Sequence, residues 1–305
     1  MPAITTPNTG IEICYEEAGD RANETILLVM GLGVQLTHWP DEFVEALVAR
    51  GYHVVRHDNR DIGLSQKMGD EKPPHFAWQL LRARIGWKAK VPYSLSAMAD
   101  DAAGLLEAIG IDKAHVVGAS MGGMIGQSMA IHHADKLHSL TSVMSTTGNP
   151  KLPQADKPAM KALTARPASL DEDVLVEHGM KVLRAIGSPG FPRDEDRARK
   201  RTRLNVQRNV YPLGLPRQLA AIIDDGDRTE RLGRVTTPTL VMHGEDDPLV
   251  KCAAGQATAA AIPGARLVTI PGWGHDFPLE LVDRIADEIA AHAASASPKA
   301  LEAAE

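Results

Sequence analysis

Short runs of β-branched and aliphatic residues recur along the chain, separated by stretches whose apolar residues repeat every three or four positions. Residues 11–17, 25–30, 52–57, 114–118, 139–144, 238–243 and 266–270 read as strands, and 41–49, 95–109, 121–134 and 279–292 as helices. The 95–109 stretch shows the helical period most plainly, with Ala102, Leu105, Leu106 and Ile109 on one face. Strand and helix in alternation make crossover connections, so the strands run parallel and helices cover both faces of the sheet. Residues 1–18, turning at Pro7-Asn8-Thr9-Gly10, add an antiparallel hairpin at one edge. The expected fold is α/β, a mostly parallel eight-stranded sheet flanked by helices.

Between 148 and 234 the rhythm stops. That stretch has scattered prolines, helical patterns such as 171–186, and 17 Lys and Arg against 12 Asp and Glu, where the rest of the chain has 16 against 27. It reads as a helical insert over the sheet, which divides the chain into a core of residues 1–147 and 235–305 and a cap of residues 148–234. A smaller insert spans 69–92. Its Phe76, Trp78, Leu81, Ile85 and Trp87 read as core packing, with an apolar entrance or lipid-facing stripe as the alternative. The tail after 293, rich in Ala, Ser and Pro, is expected to fray.

Charge and composition exclude several classes. A net charge of −6 argues against nucleic acid as a partner. The longest apolar run, 26–36, is broken by Gly31 and Gly33 and falls short of the roughly 20 residues of a membrane span, so stable membrane insertion is not expected. The first residues lack the basic start and apolar run of a secretory signal. With only Cys14 and Cys252, a reduced, cytoplasmic protein is the expectation. The sequence sets no oligomeric state.

One motif carries chemistry. Gly118-Ala119-Ser120-Met121-Gly122 matches G-x-S-x-G, follows the strand run HVVG and opens a helix. Such a turn leaves no room for side chains at 118 and 122 and forces the serine into a strained conformation. The helix behind Ser120 points free N–H groups at any developing oxyanion. A serine hydroxyl needs a base within reach. His275 follows the strand ARLVTI in the loop Pro271-Gly272-Trp273-Gly274, on the same rim as Ser120. The base needs an acid to orient it. The loop after 238–243 offers Asp246 and Asp247 at a strand's carboxyl end.

The segments LLVMGLGVQLTHWPDEF, HDNRDIGLS, AHVVGASMGG, PTLVMHGEDDPL and IPGWGH together resemble the α/β-hydrolase superfamily over nearly the whole chain. They are most similar to its branch of aclacinomycin methylesterase and related carboxylesterases. The resemblance implies the order Ser, Asp, His, with the acid at the fifth position of an HGxxD string, Asp247, rather than Asp246. It also implies oxyanion donors at the backbone N–H groups of Leu32 and Met121. The chain departs from the common family pattern at Met30-Gly31, where most relatives have His-Gly, and at 58–65, where the small residues of D-x-R-G-x-G-x-S are partly replaced. The second departure is expected to concern loop packing. Gly33, Met124, Met144, Trp273 and Phe277 are candidates to line a substrate pocket.

Other readings are weaker. Gly31-Leu32-Gly33 imitates a dinucleotide fingerprint, but Leu36 takes the third glycine position and the helix starts near Pro40, too late to meet a pyrophosphate. His132, His133, Asp135 and His138 sit at a helix end where their side chains diverge, so no metal is expected. The basic run at 197–203 reads as a solvated face, with anion binding as the alternative. The expected protein is a cofactor-free serine carboxylic-ester hydrolase acting on a small to medium apolar ester, a methyl ester among the candidates. Lactonase, C–C hydrolase, acyltransferase and perhydrolase chemistry fit the same residues, and a non-catalytic binder of small ligands is the alternative of another class.

Overall fold

The computed structural model describes residues 1–69 and 91–297. Its eight strands are β1 (Ala3–Thr5), β2 (Glu12–Ala18), β3 (Thr25–Val29), β4 (His53–His57), β5 (Ala114–Ala119), β6 (Leu137–Val143), β7 (Thr239–Gly244) and β8 (Arg266–Ile270). They form one sheet in the order β1-β2-β4-β3-β5-β6-β7-β8. From β4 to β8 every pairing is parallel; β2 runs antiparallel to β4, and β1 to β2. The expected edge hairpin is present, with Ala3 opposite Cys14 and a turn closed by Gly10 N–H donating to Thr6 O at 2.9 Å. The segment 76–90, with Phe76, Trp78, Leu81, Ile85 and Trp87, lies outside the described residues, as does the end of the tail.

Helices α1 (Asp41–Ala49), α2 (Leu95–Ala108) and α3 (Met121–His132) connect the first strands. Between β6 and β7 come α4 (Lys157–Thr164), α5 (Glu172–Ile186), α6 (Glu195–Arg208), α7 (Gly214–Asp225) and α8 (Thr229–Leu232). No strand occurs among the described residues 148–234. Helices α9 (Cys252–Ala261) and α10 (Val282–Ser295) complete the chain. The last helix opens as a 3₁₀ turn at Leu279–Leu281, behind Pro278, where a uniform helix over 279–292 was expected.

The central strands show why their sequences are apolar throughout. All five residues of β3 are buried, because both faces are covered. Alternate side chains go to opposite faces. Leu27 and Val29 join a core with Leu105, Leu106 and Ile125 of α2 and α3. Ile26 and Leu28 join another with Phe43 and Leu47 of α1 and Ile285 and Ile289 of α10. Each such aliphatic side chain contributes about 1.5–3 kcal/mol over leaving it exposed. β3 lies between β4 and β5, so the chain reverses its direction across the sheet there, and the carboxyl ends of β3 and β5 flank the crevice where α/β folds bind ligands.

The loop after β4 departs from the family pattern for a visible reason. Asp61 takes the place of a glycine and holds its left-handed backbone, φ 68°. Aspartate tolerates this conformation better than most residues. Its buried carboxylate accepts from Met68 N–H at 2.7 Å and pairs with the equally buried Arg217 of α7 at 3.2 Å. Two neighbours behave alike. Asp58 pairs with Arg208 of α6 at 2.7 Å, and Arg60 makes a two-point pair with Asp101 of α2 at 2.6 and 2.7 Å. This is the loop packing expected of the segment, made of buried ion pairs.

Candidate active site

Ser120 sits between β5 and α3 with φ 56° and ψ −119°, outside the regions open to most side chains. The glycines around it are required by contact. A Cβ on Gly118 would collide with the carbonyl of Gly122, and one on Gly122 with the carbonyl of Val29 on the neighbouring strand. The strained serine is tied down on both sides. Its N–H donates to Val143 O at 2.9 Å, and its carbonyl accepts from Gly123 N–H, Met124 N–H and the Ser145 hydroxyl at 2.9, 3.2 and 2.8 Å. Met121 is the first residue of α3, whose leading N–H groups have no acceptor within the helix.

Strand register brings the next loop alongside. Val29 of β3 pairs with Gly118 of β5, and two residues beyond each, Gly31 faces Ser120: a Cβ on Gly31 would stand 3.2 Å from that of Ser120. Here the Met30-Gly31 departure keeps the backbone where the glycine is needed. Leu32 follows, then Gly33 with φ 72°. The Gly33 N–H is taken by the buried Gln218 side chain of α7 at 2.8 Å, and the Gln218 amide donates to Arg60 O at 3.1 Å.

Asp247 and His275 come from the carboxyl ends of β7 and β8. The His275 Nδ1 lies 2.6 Å from Asp247 Oδ2. The other carboxylate oxygen accepts from the N–H groups of Leu249 and Val250, each at 2.8 Å. Asp247 is 1% exposed. Burial alone would raise its pKa, but the charge of His275 and hydrogen bonds from His243 and His275 outweigh it and hold the carboxyl well below the usual range. Asp246 is exposed, points away and accepts from Gly272 N–H at 2.7 Å. The His275 loop is also fastened from α5 and the turn that follows it, by His275 N–H to Ile186 O at 2.8 Å and by Arg193 to Asp276 at 2.8 Å.

Ser120, Met121, Leu32 and His275 line one cavity of about 550 Å³, within the range of small-molecule sites. Of the pocket candidates, Gly33, Met124, Met144 and Phe277 line it as well. Trp273 does not. It is fully buried in the core beneath, its ring 6.4 Å from that of Phe277 and its Nε1–H donating to Asp276 O at 2.6 Å. The expectation for Trp273 is corrected accordingly: the glycines on either side turn the loop so that its indole points inward. The basic run also differs from a solvated face. Arg197 and Arg201 of α6 line the cavity, while Arg199 and Arg203 pair with Glu177 and Glu172 of α5. Gln218, Ser145 and Arg193 went unnoticed in the sequence, which has no local signal for contacts that span 25 or more residues.

Among the described residues no group of three or more His, Cys, Asp and Glu could hold a metal ion. The helix-end cluster diverges: His133 pairs with Asp100 at 2.7 Å, and the His138 ring lies 5.2 Å from that of His115. No helix of the described residues is long and apolar enough to cross a membrane.

A family model described as the alpha/beta hydrolase fold matches residues 24–280. Rhodomycin D methylesterase DnrP of Streptomyces peucetius is 30% identical, covering 97% of this chain and all of its own. Among solved structures, the enol-lactonase from Burkholderia xenovorans LB400 superposes with a TM-score of 0.68 at 23% identity, over 95% of this chain and 99% of that one. The meta-cleavage product hydrolase from Pseudomonas fluorescens IP01 gives 0.71 at 18% identity, over 97% and 98%. At these identities the two structures are alike in fold alone.

Proposed function

The chain belongs to the alpha/beta hydrolase family, and on that premise we propose that it is a serine hydrolase of carboxylic esters, working through an acyl-enzyme on Ser120. One observation carries the reading: the buried Asp247–His275 pair and the strained Ser120 meet at one cavity, in the chain order of such triads. Ser120 Oγ attacks the ester carbonyl and His275 Nε2 accepts its proton. Asp247 accepts a hydrogen bond from Nδ1–H, which keeps Nε2 free as acceptor and stabilises the imidazolium that forms. The tetrahedral oxyanion lies between the N–H groups of Leu32 and Met121. The Gly33 N–H is engaged by Gln218, which supports Leu32 as the loop's donor. His275 returns the proton to the departing alcohol, then activates water to release the acid.

The apolar lining from Met30, Met124 and Met144 suits a hydrophobic acyl part, and the methylesterase likeness supports a small alcohol such as methanol. Residues 148–234 act as a cap, supplying α5, α6 and α7 to the cavity wall. The free Cys14 and Cys252 fit a reducing, cytoplasmic setting.

The test is hydrolysis of a methyl-ester series, with acid and alcohol both quantified across pH. A second proton, on Nε2 of His275, removes the base, so kcat/KM is expected to rise with pH and then level. A flat profile, or no turnover across the series, would defeat the reading.

Gln218 fixes the loop on which Leu32 rides. Gln218→Leu is expected to lower kcat about tenfold with KM within about threefold, since one oxyanion donor is worth about 2.7–4 kcal/mol and here it would be displaced rather than deleted. Gln218→Glu keeps the acceptor for Gly33 but loses the donor to Arg60 O, and should recover only part of the loss. An unchanged kcat in the leucine variant would mean that the loop holds itself.

A further inference from the structure

The arginines of the cavity wall are compensated with one exception. Arg193 pairs with Asp276 at 2.8 Å and Arg197 with Glu42 at 2.5 Å. Arg201 lines the cavity half-buried, and among the described residues no carboxylate lies within 4.0 Å of it. Its Nε and Nη2 both donate to one acceptor, the carbonyl of Thr37, the first at 3.0 Å. A guanidinium has five N–H donors in a fixed fork, and three of them meet no acceptor among the described residues.

Asp41 and Glu42 act on Arg201 only from beyond 4.0 Å, and the charges of Arg197 and Arg56 oppose them. Burial, and next to it the charge of Arg201, push His38 down to about 3, so that ring stays uncharged. His38 lies beside Asn205 of α6, with Asn205 Nδ2 to His38 Nδ1 at 3.4 Å, and both line the cavity with Arg201. Burial also lowers Arg201 itself to about 10, which still leaves it charged at neutral pH. Taking a charge from water without a counter-ion is costly, and an anion supplied from outside removes that cost.

We propose that Arg201 anchors an ionised carboxylate of the substrate, so that the preferred ester is a half-ester: one acid group esterified and presented to Ser120, a second left free for Arg201. Asn205 and His38 give the free carboxylate neutral polar neighbours, and the methionine and aliphatic lining takes the carbon chain between the two ends. A neutral diester of the same chain meets this wall with a weaker acceptor. The substrate class rests on the esterase reading; the anion site does not.

The experiment compares monomethyl and dimethyl esters of adipic, suberic and sebacic acid. Wild type is expected to favour the half-ester in kcat/KM by about tenfold to a hundredfold at its best chain length, the range of a charge-assisted hydrogen-bonded pair. In Arg201→Met the ratio should fall to within about threefold of one, and Arg201→Lys should restore part of it. A variant that merely loosened the Thr37 turn would slow both esters alike and leave the ratio standing. Calorimetry on Ser120→Ala gives a readout without turnover: the half-ester should bind at least tenfold tighter than the diester, and the Ser120→Ala, Arg201→Met double variant should lose that margin. Equal binding of the two esters, or a ratio unmoved by Arg201→Met, overturns the anion site. Preferential binding without hydrolysis by wild type would overturn the esterase reading and leave the site in place.

Discussion

Ser120→Ala is expected to lower kcat for a methyl ester by at least three orders of magnitude while the fold and Tm stay close to wild type. The substitution removes one oxygen, which carries the attack. Every contact that holds the turn runs through the backbone of residue 120, to Val143, Gly123, Met124 and Ser145. Alanine and serine meet the same steric strain at φ 56°, so the native turn costs both about the same. What remains should be the residual catalysis of a bound ester held by oxyanion donors, about 10³–10⁴-fold over water in triad enzymes. The measurement is single-turnover and steady-state hydrolysis by the two proteins side by side, with circular dichroism to confirm folding. Comparable rates would remove Ser120 from the mechanism.

Asp247→Asn should be nearly as damaging, with a loss of up to about 10⁴ in kcat, and Asp246→Asn should stay within about threefold of wild type. Adjacent aspartates with the same side chain owe this contrast to position alone. Asp247 accepts the Nδ1–H of His275 at 2.6 Å, and an amide there can present its own N–H, which favours the tautomer with the proton on the wrong ring nitrogen. Asp246 accepts from Gly272 N–H at the surface, and asparagine keeps that acceptor. The reverse ranking, measured on the same ester, would move the acid one position along the chain.

Local rules made much of this legible. Gly118 and Gly122 announce the elbow because no other residue fits against the carbonyls of Gly122 and Val29. The central strands are apolar on both faces, and the 171–186 period places α5 to within a residue. The choice between Asp246 and Asp247 was different: spacing alone left both open, and only likeness to a family pointed to Asp247, which the hydrogen bond to His275 supports. Trp273 reads as a pocket residue from its neighbours in sequence, yet the turn of its glycine-flanked loop sends it into the core. In 197–203 the density of charge hid the helical period. Positions 197, 201 and 205 share one stripe, and that stripe faces the cavity. Gln218 could not have been found, since its partners Gly33 and Arg60 lie 185 and 158 residues away.

The ionic loop at 58–61 bears on how this protein could be recombined with its relatives. Asp58 and Asp61 reach Arg208 and Arg217, which belong to the segment between β6 and β7, while Arg60 in between is tied to Asp101 of the sheet's own helix. A chimera that brought in a foreign 148–234 segment without both arginines would strand two buried carboxylates, a penalty of about 3–5 kcal/mol for each broken pair. The reciprocal graft would strand the arginines. The loop and the two arginines that answer it are therefore a single exchangeable unit, although Asp61 and Arg217 lie 156 residues apart in sequence.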